Sequence, residues 1–307
     1  MNKVDDKNKI ITYLFLRRLL YEALVFLWVF RKGSTRVITL VSGCLKIVPY
    51  GFLKTRTVGL YKIFLDPGDA NDLHYYFNKV GHGYRKLLRK ILTDGDMVID
   101  VGANVGYFSA LACHFVGENG CVHAIDASPD MIKRLELMQA SFLGGPLKIH
   151  HCALWGVSGF AKFNIATNSG WSSLKKNPTF TTYSEVDVQL QTLDDFTLKN
   201  RVKHVKLLKL DIEGAEYDAL KGGKFFLKNQ VCDYILFEAE PHRLKAYQKS
   251  IVEIFNLLHQ AGYCCIALII QDKVLFIQDD VAAKIYKNCD YLFVRNSVYK
   301  SALKLIF

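Results

Sequence analysis

Short apolar segments, each followed by a helical stretch, recur along the chain from residue 97 onward. The segment 97–101 (MVIDV) leads into a glycine turn and a helix, and 121–126 (CVHAID) is followed by a helix that opens at Pro129. Similar segments lie at 205–211 and 232–238. Strands of a parallel sheet have this pattern, because a crossover helix must return the chain to the edge where each strand begins. The sequence therefore predicts an α/β fold with a mostly parallel sheet and helices on both faces.

The segments between and after these strands refine the expected topology. A third strand is expected at 147–154, and the alternating pieces within 155–191 predict an inserted hairpin. We expect one helix at 216–228 and another at 244–261, the second ending at Gly262 in a left-handed conformation. No long helix joins the last strand-like segments, which predicts an antiparallel edge strand. These last segments are 264–277 and 291–295.

The positive charge of the chain is concentrated near its beginning. Residues 1–60 hold 11 of the 40 lysines and arginines but only 3 of the 29 acidic residues, so most of the net charge of +11 lies there. The rest of the chain is nearly neutral, and a nucleic-acid-binding face across it is not expected. We therefore predict a basic N-terminal helical extension at 1–59 and a single α/β domain at 60–307.

The extension contains an apolar stretch at 10–30, but Arg17, Arg18 and Glu22 fall near its middle. Each such charge costs about 2.5–3.5 kcal/mol at the centre of a membrane span, so a simple span is not expected. Two interpretations remain open. Residues 10–32 form either a helix packed on the domain or a helix lying on a membrane surface. The eight cysteines form no metal-binding or CxxC spacing, which favours reduced thiols and a cytoplasmic protein, with membrane association left open.

The end of the first strand carries the pattern Asp100-x-Gly102-x-Asn104-x-Gly106. Glycines allow a tight turn there, and the following helix offers free N–H groups to an anion. The next strand ends in Asp126, whose carboxylate is placed to accept hydrogen bonds from ribose hydroxyls. Asn104 stands where a dinucleotide site needs its second glycine, which disfavours a nicotinamide cofactor. The pattern instead suits a nucleoside that carries a zwitterionic amino acid.

Several segments of the chain, in order and spacing, resemble the FkbM family of S-adenosylmethionine-dependent methyltransferases. The resemblance covers about residues 70–295 and includes DGDMVIDVGANVGYFSALA, AIDASPD, LQTLDDF, LLKLDIEGAEYDALKGG and ILFEAEPH. It implies a class I methyltransferase fold, S-adenosylmethionine as cofactor, and methyl transfer to a hydroxyl of a sugar, glycan or small natural product. The chain departs from the family at Asp126-Ala127, where Glu-Pro is usual, and at Arg85, where an acidic residue often follows the tyrosine.

Candidate catalytic residues follow the next two strands. Asp211 and Glu213 come after KLLKL, Glu238 ends YILFE, and His242 lies four residues further on. Alternate residues of an extended chain share one face, so Asp211 and Glu213 are expected side by side, where one carboxyl can act as a base. His242 is the alternative base. Helix capping is the competing role for the first two, and Glu216 is interpreted as a capping residue.

Three further expectations complete the interpretation. Such a set of carboxylates can also hold Mg²⁺, but nothing in the spacing demands an ion, and no metal is predicted. The polar loop around Trp171 is a candidate lid or acceptor wall. The alternatives to an O-methyltransferase are a non-catalytic S-adenosylmethionine-binding or membrane-associated scaffold and, with less support, a nicotinamide-dependent oxidoreductase.

Overall fold

The computed structural model describes residues 53–77, 80–166, 169–175, 182–282 and 288–307. The residues of the predicted extension before 53, including 10–32, lie outside this part of the chain. None of the helices in the described ranges has both the length and the apolar character needed to cross a membrane. The described residues divide into two compact units, one containing 53–56 and 64–77 and the other containing 57–63 and the described residues from 80 onward. The second unit contains the sheet and all the candidate site residues.

An eight-stranded sheet forms the centre of this second unit. Its strands, in spatial order, are β12 (Lys273–Phe276), β11 (Tyr263–Ile270), β13 (Cys289–Arg295), β10 (Cys232–Ala239), β9 (Val205–Leu210), β3 (Met97–Val101), β4 (Cys121–Asp126) and β5 (Leu147–His151). The five strands from β10 to β5 are mutually parallel. Strand β13 is antiparallel to both its neighbours, and β12 is an antiparallel edge strand. The predicted mostly parallel sheet with an antiparallel edge is confirmed, and β13 adds a second antiparallel strand inside it.

Helices pack against this sheet and connect its strands. In this unit they are α2 (His82–Ile91), α3 (Tyr107–Val116), α4 (Pro129–Ala140), α5 (Leu193–Lys199), α6 (Glu216–Lys221), α7 (Lys224–Lys228), α8 (Pro241–Ala246), α9 (Ile251–Gln260), α10 (Asp279–Ala282) and α11 (Tyr299–Ile306). Pro129 occupies the first turn of α4, as the sequence predicts. The first unit contributes α1 (Ala70–Tyr76), which Asp69 caps, and the strands β1 (Lys54–Val58) and β2 (Tyr61–Leu65) lie at the boundary.

Three of the predicted elements are each two elements in the structure, and the sequence explains the breaks. The helix expected at 216–228 stops at Gly222-Gly223, because glycine is a poor helix former and the Gly222 backbone lies against Trp155. The helix expected at 244–261 is interrupted before Ser250, which begins α9 with a capping box to Glu253. The strand expected at 264–277 reverses at 271–272, where both residues have positive φ.

The strand expected at 147–154 is also divided, and its second part belongs to another sheet. Strand β6 (Ala153–Leu154) joins β8 (Thr182–Gln191) and β7 (Gly159–Ala166) in a three-stranded sheet. Strands β7 and β8 pair antiparallel, so the predicted inserted hairpin is present. This small sheet has its own apolar cluster, formed by Ala127, Phe163, Ile165, Val188 and Leu190.

Candidate active site

The carboxyl ends of β3, β4, β9 and β10 meet at one edge of the central sheet. In a parallel sheet this is where ligands bind, next to the point where the strand order reverses. Here that point is β3, since the chain passes from β3 outward to β4 and β5 and then returns on the other side as β9. The residues predicted for the cofactor and for catalysis all lie in the last residues of these four strands or just after them. They are Asp100, Gly102, Asn104, Gly106, Asp126, Asp211, Glu213, Glu238 and His242.

Gly102 allows the end of β9 to approach the loop after β3. Its φ is +79°, in the left-handed region, and a Cβ there would lie 1.9 Å from the backbone oxygen of Asp211. The Asp211 N–H in turn donates to the Val101 oxygen at 3.0 Å. The glycine loop and the end of β9 are therefore in direct backbone contact, and a side chain at position 102 would separate them.

Asp126 organises the same loop from the neighbouring strand. Its two carboxylate oxygens each accept a backbone N–H, from Asn104 and from Ser128, both at 2.8 Å. Burial, partly offset by these two hydrogen bonds, raises the pKa of Asp126 to about 6. A carboxylate oxygen can accept a second donor. Asp126 can therefore hold the loop and a ligand hydroxyl together, which is the geometry expected of a ribose contact.

Asn104 has an amide group that the protein itself does not use fully. The residue has a φ of +51°, and its side-chain oxygen is buried without a hydrogen-bond partner in the described part of the chain. Buried acceptors are normally paired, so this atom is placed for a donor from a ligand. Helix α3 begins directly after Gly106 with no side-chain cap, which leaves its first N–H groups for an anion. Together these groups fit the ammonium and carboxylate of a bound amino acid.

Asp100 faces the interior of the protein. Its carboxylate is fully buried and accepts a 2.6 Å hydrogen bond from the Ser109 hydroxyl. Its other oxygen lies 3.7 Å from Nζ of Lys209. Burial, opposed by Lys209 and Ser109, raises the pKa of Asp100 above its usual range. The side chain thus fixes α3 and the strand ends, and a ligand contact from this residue has to come through its backbone or a water molecule.

Lys209 is a residue of this site that the sequence interpretation missed. It lies in the central strand β9 and is 5% exposed, with its ammonium group 2.9 Å from Oδ2 of Asp211. The rings of Phe108 and Tyr84 lie 5.2 and 5.9 Å from Nζ, within reach of a cation–π interaction. A lysine inside an otherwise apolar strand was the signal available in the sequence. Such a buried charge needs a carboxylate partner.

Asp211 and Glu238 form a carboxyl pair at the ends of β9 and β10. Burial opposes ionisation of Asp211, but Lys209 and the hydrogen bond to Glu238 hold the pKa of its carboxyl below the usual range. Burial and the charge of Asp211 raise the pKa of Glu238 well above its usual range. Asp290, directly across from Glu238 on β13, was also missed by the sequence interpretation. Burial and the nearby Asp211 raise the pKa of Asp290 to about 6.

Glu213 lies on the other side of Asp211 and pairs with Arg243 of α8. Its φ of +62° is uncommon for a residue with a side chain and marks a strained turn. Arg243 also contacts Glu240, which in turn lies 3.1 Å from Nδ1 of His242. His242 is more than half exposed, whereas Asp211 is close to Glu213 and Glu238. The structure therefore brings the three predicted carboxylates together and places His242 beyond Glu240.

The turn that carries Glu213 is held by Glu216. The Glu216 side chain is buried and accepts the backbone N–H groups of Ile212 and Gly214, at 3.0 and 3.2 Å. Burial, opposed by these hydrogen bonds, raises the pKa of Glu216 to about 7. A Cβ at Gly214 would lie 2.7 Å from the Arg243 backbone oxygen. These contacts support the structural role predicted for Glu216.

The three clustered carboxylates have the spacing of a cation site. Asp211, Glu213 and Glu238 each place one oxygen within 4.8 Å of the others. Side-chain cations already occupy two of these groups, since Lys209 pairs with Asp211 and Arg243 with Glu213. The negative charge that would attract a metal ion is thus offset by the protein.

A small pocket opens beside Glu213 and Arg243. Trp171 and Lys175 of the inserted segment line it together with Tyr247, whose hydroxyl accepts the Lys175 backbone N–H at 3.2 Å. Trp171 is 37% exposed, and the ammonium group of Lys175 lies 5.0 Å from the Tyr247 ring centroid. An aromatic face, cationic groups and a carboxylate line one recess, which suits a polar acceptor with an apolar ring face.

The comparison with known families agrees with this arrangement. The family described as Methyltransferase FkbM domain matches residues 100–265, more than half of the chain. The chain belongs to the FkbM methyltransferase family. The matched region includes the glycine loop, Asp126 and the whole of β9 and β10. The order and directions of the strands are those of the class I methyltransferase fold, as the sequence resemblance implies.

Solved structures similar to this FkbM-family chain include three methyltransferases. The FkbM methyltransferase from Methylobacillus flagellatus KT is 14% identical, with a TM-score of 0.42 over 66% of this chain and 47% of that one. A SAM-dependent methyltransferase from Aquifex aeolicus is 14% identical, with a TM-score of 0.38 over 69% and 88% of the two chains. A putative methyltransferase from Streptococcus mutans, solved in complex with SAH, is 8% identical, with a TM-score of 0.40 over 69% and 94%.

The FkbM-family chain thus spans about half the length of the Methylobacillus flagellatus protein. No curated protein sequence matches it.

Proposed function

We propose that the protein is an S-adenosylmethionine-dependent O-methyltransferase that acts on a hydroxyl of a sugar, glycan or small natural product. The observation that carries the proposal is the backbone contact between Gly102 and Asp211. It joins a loop suited to a nucleoside amino acid to a partly buried pair of carboxyl groups. A methyl donor and a proton acceptor would therefore lie side by side.

The donor-binding residues are those that surround the glycine loop. Asp126 accepts the ribose hydroxyls, and the Asn104 amide oxygen accepts from the ammonium group. The free N–H groups at the start of α3 hold the carboxylate, and Gly102 and Gly106 let the loop pack closely against Asp211 and Met138. When bound, S-adenosylmethionine supplies an electrophilic methyl group on a positively charged sulfur.

The protein's part in the reaction is to orient the acceptor and accept its proton. Holding an acceptor oxygen about 3–3.5 Å from the methyl carbon can supply roughly 7–11 kcal/mol of the barrier. Asp211, Glu213 and Glu238 are the candidate proton acceptors, with His242 as the alternative. The recess lined by Trp171, Lys175 and Tyr247 holds the acceptor, which we expect to be a polar small molecule or glycan and not a nucleic acid.

Methyl transfer from labelled S-adenosylmethionine to fractionated cell extract tests this function. We expect label in a glycan or small-molecule fraction, and at least 100-fold less label with Asp211→Asn, since general-base groups contribute about 10²–10⁴-fold. His242→Gln serves as the comparison and should retain transfer within a few fold. Label in no fraction, with intact donor binding, would favour the non-catalytic scaffold.

Calorimetric titration with S-adenosylmethionine, S-adenosylhomocysteine and NADH distinguishes the proposed methyltransferase from a nicotinamide-dependent oxidoreductase. Binding of both methionine derivatives and not NADH is expected. The reverse result would favour an oxidoreductase.

We also propose that residues 1–59 are an extension to the methyltransferase domain at 60–307, in a cytoplasmic protein. Residues 10–32 would lie on the domain or on an anionic membrane surface. Co-sedimentation with anionic vesicles, compared between the full chain and a chain lacking residues 1–36, distinguishes the two. If the full chain sediments with the vesicles and the shortened chain does not, the removed residues contact the membrane.

A further inference from the structure

Lys209 is the buried cation of the site, and three of the elements around it present a polar or aromatic group to it. Strand β3 presents Asp100, α2 presents Tyr84, and α3 presents Phe108. On its own strand end, Asp211 accepts its 2.9 Å hydrogen bond. A buried ammonium group is stable only with such partners. Strand β9 thus holds the ammonium group of Lys209 in a fixed position beside the Asp211 carboxylate.

The carboxyl groups around this lysine outnumber it. Asp100 and Asp211 lie 3.7 and 2.9 Å from Nζ of Lys209. A Glu238 oxygen lies within 4.8 Å of one of Asp211, and Asp290 is directly across from Glu238. Carboxyl groups held this close in a buried site cannot all be ionised, because mutual repulsion and burial both favour the protonated form. At least one of them therefore carries a proton at neutral pH.

The hydrogen-bond partners indicate which carboxyl group that is. Asp100 accepts from the Ser109 hydroxyl, and Asp290 accepts from the Tyr84 hydroxyl. Asp211 has the ammonium group of Lys209. Glu238 has no cationic partner in the described ranges, and one of its carboxyl oxygens lies within 4.8 Å of an oxygen of Asp211. A carboxyl–carboxyl hydrogen bond needs a proton between the groups.

Two more charged groups lie near Asp211 and Glu238, and both favour an ionised Asp211 and a protonated Glu238. Arg243 lies near Asp211 and stabilises its ionised form. Glu216 lies near Glu238 and disfavours ionisation there. The direction of the pKa shift is accordingly downward for Asp211 and upward for Glu238.

We propose that Lys209 is a positioning residue that keeps Asp211 ionised as the proton acceptor, while Glu238 stays protonated and donates a hydrogen bond to Asp211. This inference rests on the proposed function, since it names the base of that reaction. The acceptor oxygen forms its bond to the methyl carbon as the carbon–sulfur bond breaks, and the bonding pair stays on sulfur, which becomes a neutral thioether. The hydroxyl proton passes to Asp211 and then to solvent. A weak carboxylate base suffices, because the oxygen becomes strongly acidic as it gains the methyl group.

Infrared difference spectroscopy of the purified protein tests the proton on Glu238 without an acceptor. A protonated carboxyl group has a carbonyl stretch that is resolved from ionised carboxylates and shifts in D₂O. We expect this band at pH 7 in the wild type and its decrease in Glu238→Gln, with a remainder from Glu216, whose pKa is about 7. The same change at Glu253, an exposed capping residue of α9, is the matched control and should leave the band. A missing band in the wild type, or a band lost with Asp100→Asn instead, would overturn the assignment.

The role of Lys209 is tested by Lys209→Met in the same measurement. Without the lysine, Asp211 also takes up a proton, so the band should grow and persist to higher pH. Lys206→Met is the matched control, because Lys206 lies on the same strand but pairs with Asp233 away from the site. Lys209→Arg keeps the charge and should keep the wild-type band, which provides a second reading if Lys209→Met does not fold. A band that grows in Lys209→Arg, or that stays unchanged in a folded Lys209→Met, would contradict the proposal.

The transfer assay then separates this inference from the proposed function. With labelled S-adenosylmethionine and the glycan fraction of cell extract, Lys209→Met should lose about 100-fold in rate and shift its pH profile upward. Lys209→Arg should restore most of the rate. A wild type that labels no fraction contradicts the methyltransferase proposal, whereas an active wild type with an unshifted Lys209→Met profile contradicts only the role of Lys209.

Discussion

The backbone oxygen of Asp211 occupies the place where a side chain at Gly102 would have to lie. A methyl group there would be 1.9 Å from that oxygen, and the φ of +79° adds the strain of the left-handed region. We therefore expect Gly102→Ala to displace β9 from the loop, with at least tenfold weaker S-adenosylmethionine binding in calorimetry. The strain alone costs about 1–2 kcal/mol of folding free energy.

Gly95→Ala provides the control for this substitution. Gly95 has a φ of +89°, but nothing lies within 4 Å of the position of its Cβ. It should show the backbone strain in chemical denaturation and leave donor affinity unchanged. Equal donor affinity in the two variants would mean that the close approach at Gly102 does not matter for the site.

The raised pKa of Asp126, about 6, predicts a pH-dependent donor affinity. The ionised carboxylate accepts ribose hydroxyls, and its protonated form accepts them less well. Because the folded protein takes up this proton as the pH falls through about 6, affinity should be constant above pH 7. Below the pKa it should decline, by up to about tenfold per pH unit.

Titration calorimetry between pH 5 and 8 measures this dependence. In Asp126→Asn the affinity should be lower at pH 8 and nearly independent of pH, since the titrating group is gone. A wild-type affinity that stays level down to pH 5 would exclude Asp126 as the ribose contact.

Loss of the hydroxyl in Ser109→Ala should destabilise the fold. Ser109 and Asp100 are both fully buried, and their 2.6 Å hydrogen bond is the closest that the Asp100 carboxylate makes. Removing a donor from a buried carboxylate costs about 1–3 kcal/mol. Denaturant unfolding measures the change, with Ser301→Ala as control, because the Ser301 hydroxyl is exposed. Equal stabilities would show that Asp100 needs no donor from α3.

Trp171→Ala tests whether Trp171 contributes to acceptor binding and not to donor binding. The ring lines the recess beside Glu213 but not the glycine loop, so donor affinity should be unchanged. Transfer to the labelled fraction should fall about 3- to 10-fold through a higher KM, as expected for the loss of one aromatic contact. Phe160→Ala is the control, since Phe160 is exposed on β7 and does not line the recess. A loss of donor affinity in Trp171→Ala would contradict the assignment.

The sequence was sufficient to predict the sheet, because its apolar segments and glycine turns are local signals. Strand β3, the loop to Gly106 and the end of β4 lie where the pattern placed them. The breaks at Gly222 and Ser250 were less evident, since apolar periodicity continues across both and only packing or a capping box reveals the interruption. Element boundaries of this kind depend on tertiary contacts.

The candidate site was only partly predictable for a related reason. Asp211, Glu213 and Glu238 follow strand ends, where the topology itself brings side chains together. Lys209 and Asp290 lie within mainly apolar strands, and nothing local sets Lys209 apart from Lys206 on the same strand. Their importance depends on the register between β9, β3, β10 and β13, which no single segment encodes.

The three-stranded sheet gives the wall of the recess an independent scaffold. Its strands β7 and β8 pair with each other, and their apolar side chains form a cluster apart from the core of the central sheet. Residues 159–191 can therefore diverge as long as their packing on Ala127, directly after Asp126, is kept. Under the proposed function, a different methyl acceptor would then require a change in this insertion only, while the donor-binding part of the domain stays the same.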